Sequence, residues 1–366
     1  MDTPDRWRCA RSTPVRYSAP MNPVLVHATR GGAVESTHRG ALAVLDADGA
    51  VVVQCGDIDR PIFPRSAVKV LQALPLVASG AADRFGLTPQ ELAIACASHN
   101  GEPLHVQTVQ RMLARTGLSE QSLECGVHWP LLDTASRALA AAGRSPSALN
   151  NNCSGKHAGF VCLACALDPL AEPVRSVRGY VQPSHPVMRE VGASLQATTG
   201  YDLSSTPQGV DGCSIPTYAI PLRHLALAFA RVGTGHGLSP EHAAAARRLR
   251  AAVASAPFMV AGTGRFDTRI MERFGERVFC KVGAEGVFCA ALPERGLGVA
   301  IKIDDGNNAR ACEVAMAAVI ESLCELSEAD AAFVRTFSDV TLTNWNGLHV
   351  GALRASEAMR AIRRSN

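Results

Sequence analysis

The sequence predicts an α/β (α+β) protein in which strands from both ends of the chain form one antiparallel sheet and a long helical insertion lies between them. Three observations carry this expectation. Short β-branched runs broken by turns occupy residues 24 to 55 and return from 277 to 304. From about 66 to 275 the pattern changes to capped helices and loops. The 366 residues are 47% apolar, enough to bury a large core and long for a simple sandwich or bundle. The expected division is a sheet lobe from 23–62 and 277–345 beside a mainly helical lobe from 63–276, together making one unit. Residues 1–22 read as a disordered arm or an upstream start, with Met21 as the working start.

In chain order, "PVLVHATRGG" and "GALAVLDADGAVVVQCG" are strands, with Asp48-Gly49 as a hairpin turn. "TPQELAIACAS" opens a helix, since Thr88, Pro89 and Glu91 supply a capping box with proline at the first helical position. "HVQTVQRMLARTG" ends on a glycine, as helices commonly do. "SPEHAAAARRLRAAVAS" is an alanine-rich helix. Strands resume in "RVFCKVGAEGVFCAALPERGLGVAIKID", and a helix follows through "ARACEVAMAAVIESLCEL". "DVTLTNW" adds an edge strand. A sheet drawn from both ends leaves the insertion as a neighbouring lobe, and clefts between lobes are common ligand sites.

Composition narrows the function. Lys+Arg total 36 against 33 Asp+Glu, so no global field favours nucleic acid or an anionic membrane. No apolar run approaches the roughly 18 residues of a membrane span. The first twenty residues have arginines but no apolar core, unlike a secretory signal. With no export signal, twelve cysteines point to reduced thiols in the cytoplasm. Cys96, Cys289, Cys312 and Cys324 have apolar neighbours and read as core. Cys162 and Cys165 share CxxC spacing but lie in an apolar helical run, and also read as core.

In "FPRSAVKVLQALP", Ser66 and Lys69 fall three residues apart at a helix start, where side chains at that spacing share a face. Free N–H groups there stabilise developing negative charge, and a lysine screened from water can take the serine proton. Alone, SxxK spacing arises by chance in most chains of this length. Two further patterns change its meaning. "ASHNGE" gives SxN at Ser98 to Asn100, and "FCKVGAEG" gives KxG at Lys281 to Gly283 on an expected strand. In that order and context the three are the active-site set of serine β-lactamases and penicillin-binding proteins. Cys153 and Lys156 in "NNNCSGKHAGF", and Cys213 in "QGVDGCSIP", lack the apolar neighbours of core cysteines. By spacing alone they are either loop residues or an unusual zinc set, since lysine is normally protonated.

Together "PRSAVKVLQALP", "ASHNGE", "NNCSGKHAGF", "GVDGCSIP" and "KVGAEG" resemble the Rhizobium etli-type, or thermolabile, L-asparaginases, a family with a serine β-lactamase-like fold. The resemblance runs from about Pro23 to about Glu325. It implies two Ser-Lys pairs, Ser66 with Lys69 and Ser98 with Lys281. It also implies a zinc ion held by Cys153, Lys156 and Cys213, supporting substrate binding more than chemistry, and a homodimer.

The expected reaction is hydrolysis of the L-asparagine side-chain amide through an acyl-enzyme. Ser66 is the expected nucleophile, Lys69 its base, and Ser98 and Lys281 a proton relay, with the reverse assignment left open. Arg65 is a candidate for the α-carboxylate and Asp211 for the α-ammonium, although each also suits a plain loop role. His157 is a candidate for substrate or zinc-bound water, and His99 for an outer donor. Asp304 and Asp305 in "KIDDGNNAR" read as a strand-to-helix turn. The rival readings are a glutaminase or related amidase, a non-catalytic amino-acid sensor, and a zinc-dependent structural module. The last would need four ligands where three have a rationale.

Overall fold

A computed structural model describes residues 21–362. The arm expected over 1–22 therefore lies, up to residue 20, outside the described residues. Asn22 is 6% exposed and pinned: its Nδ2 donates to both oxygens of Asp304 at 3.0 and 3.1 Å, and its Oδ1 accepts the Asp57 N–H at 2.8 Å.

The main sheet has eight antiparallel strands. They are β1 (Val24–Arg30), β2 (Ala33–Asp46), β3 (Val51–Cys55), β4 (Phe279–Val282), β5 (Val287–Leu292), β6 (Leu297–Ile303), β7 (Asp339–Thr343) and β8 (His349–Ala355). Their order is β7-β8-β1-β2-β6-β5-β4, with β3 also on β2. Strand β2 joins the two chain ends: its first half pairs with β1, and Gly40 to Asp46 pair with β6 from Ile303 to Leu297. The sheet thus unites distant segments as the sequence predicts, and β7 is the expected edge strand. The sheet lobe extends past 345, however, because β8 inserts between β7 and β1. Its "HVGALRA" mixes glycine and polar residues into the alternation, which hides the strand in the sequence.

Strand β5 is buried at every position, as expected of a strand covered on both faces. The helix Leu222–Thr234 lies against β2, β5 and β6. Gly298 admits it, since a Cβ there would come 2.0 Å from Ala226 O. The helices α-terminal to the sheet, Glu313–Leu323 and Glu328–Ser338, pack on each other and on β7, β8 and β1.

In the helical lobe, α1 (Lys69–Ala78) is the hub, buried from Lys69 through Leu76. It packs on the helices Ser154–Leu167, Pro186–Thr199 and Pro240–Ser255. Ser154–Leu167 is buried on all sides from Ser154 to Cys165, the mark of a central helix, and its first turn carries Lys156 and His157. The capping box at Thr88 forms as predicted, with Glu91 also bonded to Arg115 at 3.0 Å. Among the described residues no disulfide forms, and Cys162 and Cys165 are separate thiols. Among the described residues, no helix is long and apolar enough to cross a membrane.

Candidate active site

Three lysines, Lys69, Lys156 and Lys281, are at most 2% exposed. Lysine is almost never buried without partners, so the groups around these three locate the site.

The segment entering α1 makes a tight 3-10 turn over Arg65–Val68, and the Lys69 N–H closes it on Ser66 O. Arg65 has φ 51°, the left-handed region that costs a non-glycine residue about 1–2 kcal/mol. The turn presents Ser66 half-buried at the head of the helix, its hydroxyl with no hydrogen-bond partner among the described residues. Strand β4 lies alongside. Gly283 of the KxG pattern permits this approach, because a Cβ there would stand 2.7 Å from Pro64 O.

One helical turn on, Lys69 Nζ is 3.0 Å from Ser98 Oγ and 3.2 Å from Cys153 Sγ, and also donates to Ala97 O. Lys281 Nζ reaches the same Ser98 Oγ at 3.0 Å and donates to Val282 O at 2.7 Å. Ser98 is held by its own N–H to Val260 O, with the flanking His99 N–H on Asn152 O and the Asn100 N–H on Ala261 O. Counting donors assigns the protons. Lys69 has three acceptors, matching the three N–H bonds of an ammonium. Lys281 has one carbonyl and one hydroxyl, matching an amine that accepts the Ser98 proton. The electrostatics agree: burial brings Lys281 down to about 7, opposed by Asp267 and reinforced by Lys69 and Arg265.

Cys153 and Cys213 lie close enough to act on each other's protonation. Cys213, with Lys69 and Lys156 nearby, holds Cys153 well below the usual thiol range despite its burial. Cys213 is pushed up by Cys153 and by burial. Lys156 Nζ is 3.0 Å from Cys213 Sγ. Burial would depress Lys156, but Cys213, Cys153 and Asp211 outweigh it and raise its pKa. Asp211 Oδ1 accepts from Arg65 Nε at 2.7 Å, and its Oδ2 lies 4.0 Å from Cys213 Sγ. Burial works against the charge of Asp211, while Lys156 and Arg65 hold its pKa below the ordinary value. A cavity of about 420 Å3 opens at this end, lined by Arg65, Phe63, Val210, Thr217, Glu285 and Lys302.

His157 is fully buried. Tyr180 Oη accepts the Glu124 N–H at 2.9 Å and lies 2.7 Å from His157 Nδ1. Burial, with Lys156 and Lys69 nearby, keeps the imidazole neutral. Its Nε2 is buried with no hydrogen-bond partner among the described residues.

Arg65, Asp211, Cys213, Lys156, Cys153, Lys69, Ser98 and Lys281 thus form one continuous network, although they are scattered over more than 200 positions. Ser66 borders it without a bond into it. His99 has an outer place, its Nε2 on Ser154 Oγ at 3.0 Å. Asn100 of the SxN pattern is occupied by Thr263 O, Glu102 and Arg265. Asn151 builds the Cys153 loop, donating to Cys125 O and Gly126 O and accepting the Cys153 N–H. Sequence reasoning did not single out Asp267 or Glu313; "RFDTRIMERF" gives only an ordinary capped helix.

For a metal, no three His, Cys, Asp or Glu side chains gather closely enough among the described residues. Cys153 and Cys213 could hold one only with Lys156 as third donor. Two thiols, with Cys153 held below the usual thiol range, beside a single amine make a donor set suited to zinc once these groups lose their protons.

The L-asparaginase II family model matches residues 26–355. A search of curated protein sequences returned no match. Among solved structures, the protein Mglu aligns at 16% identity and TM-score 0.34, over 74% of this chain and 64% of that one. A β-lactamase from Mycobacterium bovis aligns at 18% and 0.33, over 73% and 88%. Simvastatin synthase from Aspergillus terreus, as a mutant, aligns at 12% and 0.37, over 72% and 86%. This chain spans less than two thirds of the length of Mglu. These superpositions are loose, and the fold assignment rests on the topology of the chain itself.

Proposed function

The chain belongs to the L-asparaginase II family and is an amidohydrolase, and from that premise we propose that it hydrolyses the side-chain amide of L-asparagine to L-aspartate and ammonia through an acyl-enzyme on Ser66. The observation that carries this reading is the buried Lys69–Ser98–Lys281 bridge, one helical turn behind a serine with a free hydroxyl.

At rest the proton of the bridge sits on Lys69. Lys69 passes it to Ser98 Oγ while the Ser98 proton moves to Lys281, leaving Lys69 as an amine. Lys69 then takes the Ser66 proton as Oγ attacks the amide carbon. Backbone N–H groups at the start of the Ser66 turn stabilise the oxyanion. Lys69 returns that proton to the leaving nitrogen, and ammonia departs. Water gives a proton to the same amine as it attacks the ester, and Ser66 recovers its hydrogen when aspartate is released.

The Arg65–Asp211 pair offers both signs to a zwitterionic amino acid: the guanidinium for the α-carboxylate, the carboxylate for the α-ammonium. His157 Nε2, buried and unpartnered among the described residues, is a further candidate polar contact for the substrate or zinc-bound water. Cys153, Lys156 and Cys213 would hold zinc, and a bound zinc would supply a fixed positive centre that supports substrate binding. Metal analysis of purified protein is expected to find zinc, lost in Cys153→Ser with a raised KM. An unchanged zinc content in that variant would contradict the site. The same reading places the protein in the cytoplasm as a homodimer, which fractionation and light scattering check.

The test is ammonia release from L-asparagine and, separately, L-glutamine. One methylene is worth only about 1–3 kcal/mol of discrimination, so glutamine is expected to turn over more slowly rather than not at all. Glutamine faster than asparagine would make the protein a glutaminase. Tight asparagine binding without release would make it a sensor.

The relay needs Lys281 as an amine. Its kcat/KM should therefore fall as pH drops through about 7, the value to which burial brings that lysine, with activity on the alkaline side. A profile flat from pH 5 to 8 would contradict the relay.

A further inference from the structure

One buried acid beside the relay has no part in the chemistry above. Asp267 lies in the first turn of the helix Phe266–Phe274 and is 1% exposed. Its Oδ1 accepts the Val282 N–H at 2.8 Å, and its Oδ2 is buried without a hydrogen-bond partner among the described residues. Leaving a buried carboxylate oxygen unbonded is costly, unless a nearby charge compensates it.

The backbone of β4 identifies that charge. In an antiparallel strand the N–H and C=O of one residue point to the same side. Strand β4 is the last in the sheet, so Val282 turns both groups toward an open edge. Asp267 takes the N–H and Lys281 Nζ takes the C=O at 2.7 Å. The two backbone groups of one residue therefore dock a carboxylate and the terminal amine of the relay side by side.

We propose that Asp267 is the positioning residue that serves as counter-charge to Lys281, allowing the buried amine to hold the relayed proton while Lys69 acts as base. The proton arrives on Lys281 through Ser98, is held as an ammonium opposite the carboxylate, and returns by the same path. This rests on the relay set out above. The other charged or titratable groups acting on Lys281 are Lys69 from α1, Arg265 preceding the Asp267 helix, and Cys153 beside Lys69. Cys96 and Cys289 lie near it as thiols whose pKa burial raises, and Cys280 lies near Asp267 in the same state. Glu313, on the helix Glu313–Leu323, faces Asp267 and is raised to about 7 by burial and by that carboxylate, opposed by Arg265. Removing the Asp267 charge leaves burial, Lys69 and Arg265 all disfavouring the ammonium of Lys281, with Cys153 alone opposing them.

The test is the protonation midpoint of Lys281, read by NMR of protein carrying lysine labelled at Cε, with Lys281→Met to assign the signal. Asp267→Asn keeps the oxygen that caps Val282 and removes the charge. The expected result is a midpoint lowered by a unit or more, a tenfold weaker hold on the proton. The acid limb of kcat/KM should move the same way and kcat should fall at least tenfold, while Asp267→Glu stays near wild type on all three. A purely structural role would lower thermal stability without moving the midpoint, and an unmoved midpoint in folded Asp267→Asn overturns the proposal. If that variant does not fold, Asp267→Ser takes its place under the same criterion. If wild type releases no ammonia yet the midpoint moves, the amidohydrolase mechanism fails and the counter-charge stands. If turnover is normal and the midpoint does not move, only the counter-charge fails.

Discussion

Replacing Ser66 with alanine is expected to lower kcat for asparagine by on the order of 10^4-fold or more, the scale on which serine hydrolases lose activity with their nucleophile. The fold should survive, because the side chain is only half-buried and its hydroxyl is not part of the bonded network. Substrate affinity should change little, since the groups assigned to binding, Arg65 and Asp211, bond each other rather than Ser66. Steady-state ammonia release together with direct asparagine binding checks both halves. Near-normal turnover in Ser66→Ala would transfer the nucleophile role elsewhere, with Ser98 first in line.

Ser98→Ala is expected to be the second most damaging change, costing about 10^2- to 10^4-fold in kcat, the usual worth of positioned proton transfer. Among the described residues its Oγ alone bonds both Lys69 and Lys281, each 3.0 Å away. Without it the two amines face each other across a gap and the proton on Lys69 has no route out. Added base can take up the proton that the relay no longer carries, so part of the activity should return at higher pH. That alkaline rescue separates a lost relay from a lost nucleophile, since Ser66→Ala gains nothing from base. Equal, pH-independent losses in both variants would count against the assignment of roles.

How much of this was legible in the sequence depends on whether local pattern or long-range pairing decided the outcome. The hairpins, the capping box at Thr88 and the helix Pro240–Ser255 are local, and each forms where its residues indicate. Strand β8 was missed because its place is fixed by pairing with β1, more than 300 residues away in sequence, rather than by its own alternation. For the site, spacing singled out the lysines, serines and cysteines, and the family resemblance linked Ser66 to Lys69 and Ser98 to Lys281 as separate pairs. The folded chain instead directs both lysines at Ser98, because Lys69 points from α1 toward the loop at Ala97 while Lys281 projects from β4 to the same point. Arg65 and Asp211, two independent candidates in the sequence, prove to be partners. Asp267 gave no signal at all: its role depends on an orphaned oxygen and a strand edge, neither of which has a sequence pattern.

The central claim is that the substrate acyl group is carried on Ser66. Acid-quenching the protein during turnover with excess asparagine, then digesting it and mapping adducts by mass spectrometry, tests this directly. The expected result is an aspartyl ester on the peptide containing Ser66, absent from Ser66→Ala. An adduct on Ser98, or an active enzyme that never carries one, would contradict it.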